Sequence, residues 1–334
     1  CMTGKYDIEV YNKRVHYHLT IKRNITVIRG DSATGKTELL RMISDYENNG
    51  ISSGITEICE KRCVVVENAS WKERLATLKQ CIIFIDEGAQ FLRSKEFTRI
   101  IKGSDNYFVL VTRDTLEQLP YSIEEIYGMR QERESQKYKN AKRIYNETYQ
   151  LYNLQENEDI QPDLIVTEDS NSGYEFYRTL FGETCFSAEG KSNILPYLQK
   201  NQNKEILTIV DGAAFGPEMQ RVMQYIKDTE KKIVLYAPES FEYLLLRANI
   251  IERTAEVTEK TYELADSKEY FSWEEFYTAY LIEHSRNTIY EYSKKKLKDA
   301  YLTTGSFQKI LNQLPEKVKI EYNMRNEQKV PKNK

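Results

Sequence analysis

The feature that most constrains this chain is a glycine-rich stretch, Gly30-Asp31-Ser32-Ala33-Thr34-Gly35-Lys36-Thr37. It fits the phosphate-binding pattern G-x-x-x-x-G-K-[ST] at every fixed position. Residues 23–28 before it predict a short buried strand, and the apolar-periodic residues from Glu38 onward predict a helix. A strand, a glycine-rich turn and a helix N-terminus in this order surround an anion with N–H groups and the positive end of the helix dipole. A turn that merely contains Lys-Thr is the alternative, but the flanking elements favour a bound nucleoside triphosphate.

The same motif assigns roles to individual side chains. Lys36 is expected to bring a mobile positive charge to the β- and γ-phosphates, and the Thr37 hydroxyl is a natural ligand for Mg²⁺. The expected cofactors are therefore ATP and Mg²⁺. The residues expected to contact the nucleotide are Gly30, Ser32, Ala33, Thr34, Gly35, Lys36, Thr37 and Glu38.

An acidic pair follows a later apolar run of the chain. Residues 81–85 are apolar throughout and are followed directly by Asp86 and Glu87. In a parallel α/β sheet the carboxyl ends of the strands gather at the ligand crevice, so both carboxylates are expected to face the phosphates. Asp86 is placed to hold Mg²⁺, directly or through water, and Glu87 to act as the general base toward water. An acidic strand end that caps a following helix is the alternative.

Alternating patterns predict the secondary structure of the first 130 residues. Residues 6–21 alternate between apolar and polar positions on either side of Asn12-Lys13, which predicts a β-hairpin. The apolar runs 63–67, 81–85 and 107–111 are separated by helix-forming segments. Buried strands that alternate with helices predict a parallel sheet covered on both faces.

The rest of the chain divides into three parts by composition. Residues 131–160 are polar and poor in aliphatic side chains, which predicts an exposed helical connector. A second alternation of apolar runs and helical segments predicts a smaller α/β domain over residues 161–255. Residues 256–334 have a helical, tyrosine-rich pattern with a basic tail. The predicted fold class is thus α/β, with a parallel-sheet domain over residues 5–130 and a second α/β domain.

The composition limits the cellular compartment and the kinds of partner that we expect for this chain. Of the 334 residues, 40% are hydrophobic and 30% charged, a balance typical of globular proteins rather than disordered ones. The net charge of −3 gives no overall field for nucleic acid, which leaves only a local basic groove for that partner. No apolar run reaches the ~20 residues of a membrane span, and no secretory leader is evident. Cys59 and Cys63 have no histidine cluster beside them, so free thiols are favoured over zinc. We expect a cytoplasmic chain without a membrane partner.

The motifs of the first domain resemble those of P-loop ATPases of the additional-strand, catalytic-glutamate division. The resemblance rests on Gly30–Thr37, on Asp86-Glu87 and on the polar end of the run 107–111, and it covers about residues 5–130. It implies an ATPase rather than a small-molecule kinase, because kinases of that superfamily usually lack a glutamate at this position. A hairpin before the phosphate loop also resembles ATP-binding-cassette and nuclease-associated ATPases. The LSGGQ-type signature of transporter cassettes is absent, so their sandwich-dimer mechanism is not implied.

The resemblance adds two candidate residues after the run 107–111. It implies that Thr112 is the polar sensor of the γ-phosphate. It also implies that Arg113 contacts phosphate, either in the same subunit or across a subunit interface. An exposed or ion-paired arginine is the alternative for Arg113.

The second domain resembles TOPRIM domains of topoisomerases, primases and overcoming-lysogenisation-defect nucleases. In that family a glutamate after the first strand and an Asp-x-Asp after a later strand bind Mg²⁺ for phosphodiester chemistry. The resemblance implies Glu168 and Asp211 as metal ligands, since each follows an apolar run. The chain departs from the pattern with Ala213 in place of the second aspartate, and Asp169 and Glu218 are nearby alternatives. Ordinary strand-to-helix loops, with Asp and Gly as caps, would also explain these residues.

Three functions fit these patterns. An ATPase paired with a TOPRIM-like domain resembles bacterial anti-phage nucleases, in which the nucleotide state controls cleavage of nucleic acid. A nucleotide-dependent regulatory or scaffold protein, whose second domain binds a protein partner, is the alternative. A virus-related motor or assembly ATPase, which predicts a ring-shaped homo-oligomer, is the third.

Overall fold

The computed structural model describes residues 1–30, 35–132, 143–154, 160–316 and 318–319. The chain forms two compact units: Cys1–Tyr152 with Thr261–Ser272, and Asn153–Lys260 with Trp273–Lys334. The first unit contains a nine-stranded, mostly parallel sheet, and the second a four-stranded parallel sheet. The α/β class predicted from the alternating apolar runs is confirmed.

Both units are built from short elements. The strands are β1 Tyr6–Tyr11, β2 Val15–Ile21, β3 Ile25–Ile28, β4 Thr56–Ile58, β5 Cys63–Val65, β6 Ile82–Ile85, β7 Tyr107–Val111, β8 Ile126–Glu132, β9 Ile144–Gln150, β10 Leu164–Thr167, β11 Cys185–Ser187, β12 Ile206–Ile209 and β13 Ile233–Tyr236. The α-helices are α1 Lys36–Asn49, α2 Trp71–Thr77, α3 Lys95–Ile101, α4 Ser172–Phe181, α5 Ile194–Lys200, α6 Met219–Asp228, α7 Phe241–Arg247, α8 Ala255–Glu259, α9 Thr261–Leu264, α10 Trp273–Ser285 and α11 Thr304–Leu311.

The sheet of the first unit has the strand order β4-β1-β2-β9-β8-β3-β7-β6-β5. Strand β3 pairs in parallel with β7 on one side and with β8 on the other. Strand β7 also pairs in parallel with β6, so it separates β3 from β6. Ile28 and Val111 are partners near the ends of β3 and β7, as are Ile85 and Leu110 in β6 and β7. The segments after β3, β6 and β7 therefore leave the same edge of the sheet.

The hairpin predicted over residues 6–21 is confirmed. Strands β1 and β2 are antiparallel. The Asn12 side-chain oxygen accepts the N–H groups of Arg14 and Val15, which closes the turn. Helix α1 buries Leu39, Leu40, Met42 and Ile43 in the cluster that also contains the inward-facing residues of β1 and β2. A helical period on α1 and a two-residue period on the hairpin thus fill one core.

The helical connector predicted over residues 131–160 is wrong for its described residues. Strand β8 runs to Glu132, and β9 is antiparallel to β8 and parallel to β2. Because β9 is paired on both sides, its backbone groups are satisfied within the sheet even though few of its side chains are aliphatic. The two tyrosines and the one threonine of β9 also fit a half-exposed pleated surface. The first unit consequently extends past residue 130 to Tyr152.

A short C-terminal segment also belongs to the first unit. The Asn24 amide donates hydrogen bonds to the carbonyls of Ser267 and Tyr270, at 3.1 and 2.8 Å. The Ser267 hydroxyl donates to the carbonyl of Ser104 at 3.0 Å. Asn24 is buried, so these bonds satisfy a side chain that would otherwise be costly inside the unit. The sequence pattern had grouped residues 261–272 with the C-terminal helices, since no local pattern shows such a long-range bond.

The sheet of the second unit has the order β11-β10-β12-β13, and all of its strands are parallel. These strands lie where the apolar runs predict them. Aromatic side chains link the helices, since the ring of Phe176 in α4 lies 5.4 Å from that of Phe241 and 5.3 Å from that of Phe307. The helices from α10 onward therefore belong to the core of this unit. No helix in the described ranges is both long and apolar enough to cross a bilayer.

Candidate functional site

The glycines of the phosphate-binding pattern adopt conformations that other residues rarely reach. Gly30 has φ of 141° and Gly35 has φ of 86°, and Gly35 is the N-cap of α1. A Cβ atom on Gly35 would lie only 2.9 Å from the Tyr17 hydroxyl oxygen. That hydroxyl donates a hydrogen bond to the Gly35 carbonyl at 2.9 Å. Glycine is therefore required at position 35, both for its backbone angles and for the close approach of Tyr17.

Lys36 begins α1, and its side chain is turned back toward the loop. It is only 8% exposed, and its Nζ donates to the Gly30 carbonyl at 2.7 Å. Thr37 follows at the surface of the same first turn. A cation and a hydroxyl at a helix N-terminus suit an anion, because the first N–H groups of the helix have no partner within it. Ser32, Ala33 and Thr34, which belong to the expected nucleotide-contacting residues, lie outside the described residues.

A cavity of about 550 Å³ opens beside this helix start. Its volume falls within the range of about 300–1,000 Å³ that is usual for small-molecule sites. Among the residues expected from the sequence, the cavity is lined by Gly35, Lys36, Thr37, Glu38, Glu87 and Arg113. The lining residues that the sequence analysis missed are Arg14, Val15, Tyr17, Arg41, Gln131, Ile144 and Asn146.

Glu87 and Arg113 form an ion pair on one wall of the cavity. Arg113 Nε lies 3.5 Å from Glu87 Oε2, and the two side chains are 54% and 46% exposed. They meet because they follow β6 and β7, which are parallel neighbours. The ion-paired arginine, one alternative from the sequence, is the arrangement found. At this exposure the pair contributes little to stability, so either side chain is available to a ligand.

Asp86 and Thr112 also follow β6 and β7, but neither lines the cavity. Asp86 Oδ1 accepts the N–H of Glu87 at 2.8 Å. Thr112 is buried, and its hydroxyl oxygen accepts the N–H of Asp114 at 3.0 Å. The predicted magnesium ligand and phosphate sensor are thus at the expected edge of the sheet, with their side chains bonded to the local backbone.

Three lining residues come from strands on the other side of β3: Tyr17 from β2, Gln131 from β8 and Asn146 from β9. The burial of Tyr17 raises the pKa of its hydroxyl to about 12, so it remains a neutral hydrogen-bond donor. Gln131 and Asn146 escaped the sequence analysis because their segment was interpreted as a helix. The β-branched and aromatic residues of this segment, Ile144, Tyr145, Thr148 and Tyr149, were the available signal.

The second unit brings Glu168 and Asp211 together, as the TOPRIM resemblance implies. They follow the parallel neighbours β10 and β12, and the Asp211 N–H donates to Glu168 Oε2 at 3.0 Å. Burial raises the pKa of Glu168 to about 7. Burial, together with Glu274 and Glu168, also raises the pKa of Asp211 well above its ordinary value. Such shifts disfavour a pair of ionised carboxylates unless a positive charge accompanies them.

Neither of the nearby acids named from the sequence, Asp169 and Glu218, adds a free carboxylate ligand there. Both oxygens of Asp169 accept N–H groups at the start of α4, and Glu218 is paired with Arg221 at 2.9 Å. Ala213, at the position of the second aspartate, is 2% exposed and has no oxygen ligand to offer. In the parts of the chain that the structure describes, no group of three or more His, Cys, Asp or Glu side chains is arranged to hold a metal. The residues present therefore do not fit the implied metal.

A lysine provides positive charge beside these carboxylates. Lys294 is paired with Glu274, at the start of α10. Burial lowers the pKa of Lys294, but Glu274, Glu242 and Asp211 raise it overall, so it stays charged. Next to it, the Tyr292 hydroxyl donates to Glu242 at 2.8 Å. This cluster of Glu168, Asp211, Glu242, Glu274 and Lys294 is called the acidic cluster below.

Comparison of the chain with protein-family models, curated proteins and solved structures finds no significant match. The class of this protein therefore has to be argued from its own fold and cavity.

We expect Lys294→Met to destabilise the second unit more at pH 8 than at pH 5. Removing the cation leaves ionised carboxylates without compensation at pH 8, whereas protonation of groups with raised pKa values relieves part of that repulsion at pH 5. The loss at pH 8 should be about 1–3 kcal/mol, less than for a fully buried pair because Lys294 is 40% exposed. Urea unfolding at both pH values measures it. Lys298→Met, which breaks an exposed pair with Glu291, is the control, and equal losses at the two pH values would contradict the expectation.

Proposed function

We propose that the first unit binds and hydrolyses ATP with Mg²⁺, as its resemblance to P-loop ATPases implies. The observation that carries the proposal is the single cavity that joins the start of α1 to Glu87 and Arg113. Lys36 supplies a buried cation and Thr37 a hydroxyl at a helix N-terminus. A carboxylate and a guanidinium face them across the cavity. A phosphate-binding end next to a carboxylate that can accept a proton is what hydrolysis of a triphosphate needs.

The strand order supports the same proposal. Strand β7 lies between β3, which leads into Gly30, and β6, which leads into Asp86 and Glu87. The resemblance to the additional-strand division implies an inserted strand at this position. It sets the carboxylates one strand away from the phosphate loop, which leaves space for the last phosphate and an attacking water between them.

In the proposed reaction, Lys36 exchanges the Gly30 carbonyl for the oxygens of the β- and γ-phosphates. Thr37 and Asp86 offer hard oxygen ligands and would hold Mg²⁺, which neutralises phosphate charge when it is bound. Glu87 accepts the proton of the attacking water. Arg113 lies 3.5 Å from Glu87 in this structure, and in the proposed reaction its guanidinium turns to pair with the γ-phosphate.

For the second unit we propose a binding module rather than a nuclease. The specific observation is the acidic cluster, in which Asp169 and Glu218 have structural partners, Ala213 offers no ligand and Lys294 supplies the positive charge. The nucleotide state of the first unit would then control a partner, either a protein or nucleic acid. Nicking of supercoiled DNA or structured RNA by the wild-type chain with Mn²⁺ would reinstate the nuclease, provided that Glu168→Ala, Asp211→Ala abolishes it.

Replacement of Lys36 by alanine should weaken binding of Mg-ATP by tenfold or more. The reason is the loss of a charge-assisted bond to phosphate, which contributes about 1.5–3 kcal/mol. Isothermal titration calorimetry measures the affinity. Lys79→Ala, which removes a lysine that is 72% exposed in the same unit, is the matched control. Equal affinities of wild type and Lys36→Ala would rule out the assigned phosphate site.

Glu87→Gln should retain nucleotide affinity but slow hydrolysis by about 10²–10⁴-fold, because the amide keeps the shape of the side chain and loses the base. Phosphate release under saturating ATP measures the rate, and calorimetry checks binding. Glu73→Gln, on α2 of the same unit, removes one negative charge from the surface and should leave the rate unchanged. Hydrolysis by Glu87→Gln at the wild-type rate would show that the base is another residue.

A further inference from the structure

Strands β8 and β9 form a ribbon that continues past the end of β3. Tyr127 in β8 pairs with Ile28 at the end of β3. Gln131 is four residues farther along β8, a distance of roughly 13 Å at ~3.3 Å per residue. It pairs with Asn146 in β9, which in turn pairs with Tyr17 in β2. These three residues are cross-strand partners in one row, and all of them line the cavity.

The ribbon and the catalytic wall lie on opposite sides of β3. In the sheet, β8, β9 and β2 are on one side of β3, and β7 and β6 are on the other. Glu87 and Arg113 follow β6 and β7. In the proposed complex, the last phosphate of a triphosphate bound at the start of α1 therefore lies beside them. The opposite end of the nucleotide, which carries the ribose and the base, then points toward the ribbon.

The ribbon wall suits an uncharged group better than another phosphate. Val15 and Ile144 give it apolar surface, and Gln131 and Asn146 give it two carboxamides. Two lining cations near it, Arg14 and Arg41, lie 3.6 and 2.8 Å from Glu38, which partly neutralises them. A mixed apolar and amide surface of this kind is typical of sites that recognise a nucleoside through a few hydrogen bonds.

One residue of this wall, Asn146, has a side-chain oxygen that accepts no hydrogen bond from the described residues. Asn146 is 3% exposed, and its buried Oδ1 has no hydrogen-bond partner among the residues that the structure describes. The same oxygen is 3.6 Å from the place where a Cβ on Gly35 would lie, so it is next to the turn that begins α1. A buried acceptor without a partner is unfavourable, and it is rare in folded proteins unless a ligand completes it. The terminal amide turns readily about χ2, so it can present either its oxygen or its nitrogen to the cavity.

We propose that Asn146 is the hydrogen-bonding residue of a nucleoside subsite formed by the β8–β9 ribbon. The proposal rests on the proposed ATP site and adds the residue that distinguishes a nucleotide from a bare triphosphate. Its ligand chemistry is a neutral hydrogen-bonding group of the nucleoside, either a ribose hydroxyl or the exocyclic amine of the base. Val15 and Ile144 pack against the apolar part of the same nucleoside.

The test compares Mg-ATP with Mg-tripolyphosphate, which has the phosphates but no nucleoside, by calorimetry. Wild type should bind ATP more tightly than tripolyphosphate. Asn146→Leu, which keeps the branched shape of the side chain but cannot form hydrogen bonds, should weaken ATP binding by about tenfold, the effect of one lost hydrogen bond to a buried group. Its affinity for tripolyphosphate should be unchanged. Asn146→Ser, a smaller polar variant, repeats the test should the leucine disturb folding. Thr148→Val is the control, since Thr148 lies two residues farther along β9 and outside the cavity lining.

Two further ligands identify the group that Asn146 contacts. If the variant loses affinity for ATP but not for 2′-deoxy-ATP, the contact is the ribose 2′-hydroxyl. If it loses affinity for ATP but not for inosine triphosphate, the contact is the exocyclic amine. Equal loss for all three nucleotides assigns the contact to the 3′-hydroxyl or a ring nitrogen, and each of these results supports the subsite.

Two results would overturn the subsite while leaving the ATP site intact. One is unchanged ATP affinity in both Asn146 variants. The other is a parallel loss of ATP and tripolyphosphate binding, which would mean that Asn146 only supports the turn at Gly35. If wild type binds neither ATP nor tripolyphosphate, the proposed function itself fails, and the subsite fails with it.

Discussion

The first unit depends on one tight contact, the approach of the Tyr17 hydroxyl to the backbone of Gly35. The contact requires glycine, fixes the start of α1 and joins the hairpin strand β2 to the turn before the helix. Lys36 can then fold back onto the Gly30 carbonyl, so a cation is held in the turn before any ligand arrives. For the proposed triphosphate, such preorganisation by backbone geometry would lower the cost of ordering the site.

In the second unit, several carboxylates lie close together. Its parallel strands bring Glu168 and Asp211 to one edge, where burial makes two negative charges unfavourable. In metal-dependent sites a divalent cation offsets such repulsion, but here two lysines supply positive charge, Lys294 to Glu274 and Asp211 and Lys191 to Glu168. An ammonium group has one charge and fixed hydrogen-bond donors, so it can stabilise the cluster without activating water. Both units thus have charged side chains directly after their strands, but these side chains have different partners.

Local patterns predicted much of this architecture. The hairpin around Asn12, the apolar strands and the helix that begins at Lys36 all depend on neighbours in sequence, and the structure places them as expected. Residues 144–150 were missed because β9 gains its stability from pairing with β2 and β8, which composition does not show. Asn146 was missed for the same reason. The expectation that Glu168 and Asp211 lie together was correct. The sequence could not show that Lys294, more than 80 residues later in the chain, lies near them.

The most direct test of the central claim is a structure of the chain with Mg²⁺ and a non-hydrolysable ATP analogue. The account predicts the triphosphate at the start of α1, with Lys36 Nζ moved from the Gly30 carbonyl to the phosphate oxygens. It also predicts the last phosphate beside Glu87 and Arg113, and the nucleoside against Asn146. A nucleotide bound elsewhere, or Lys36 still on the Gly30 carbonyl at saturating analogue, would contradict it.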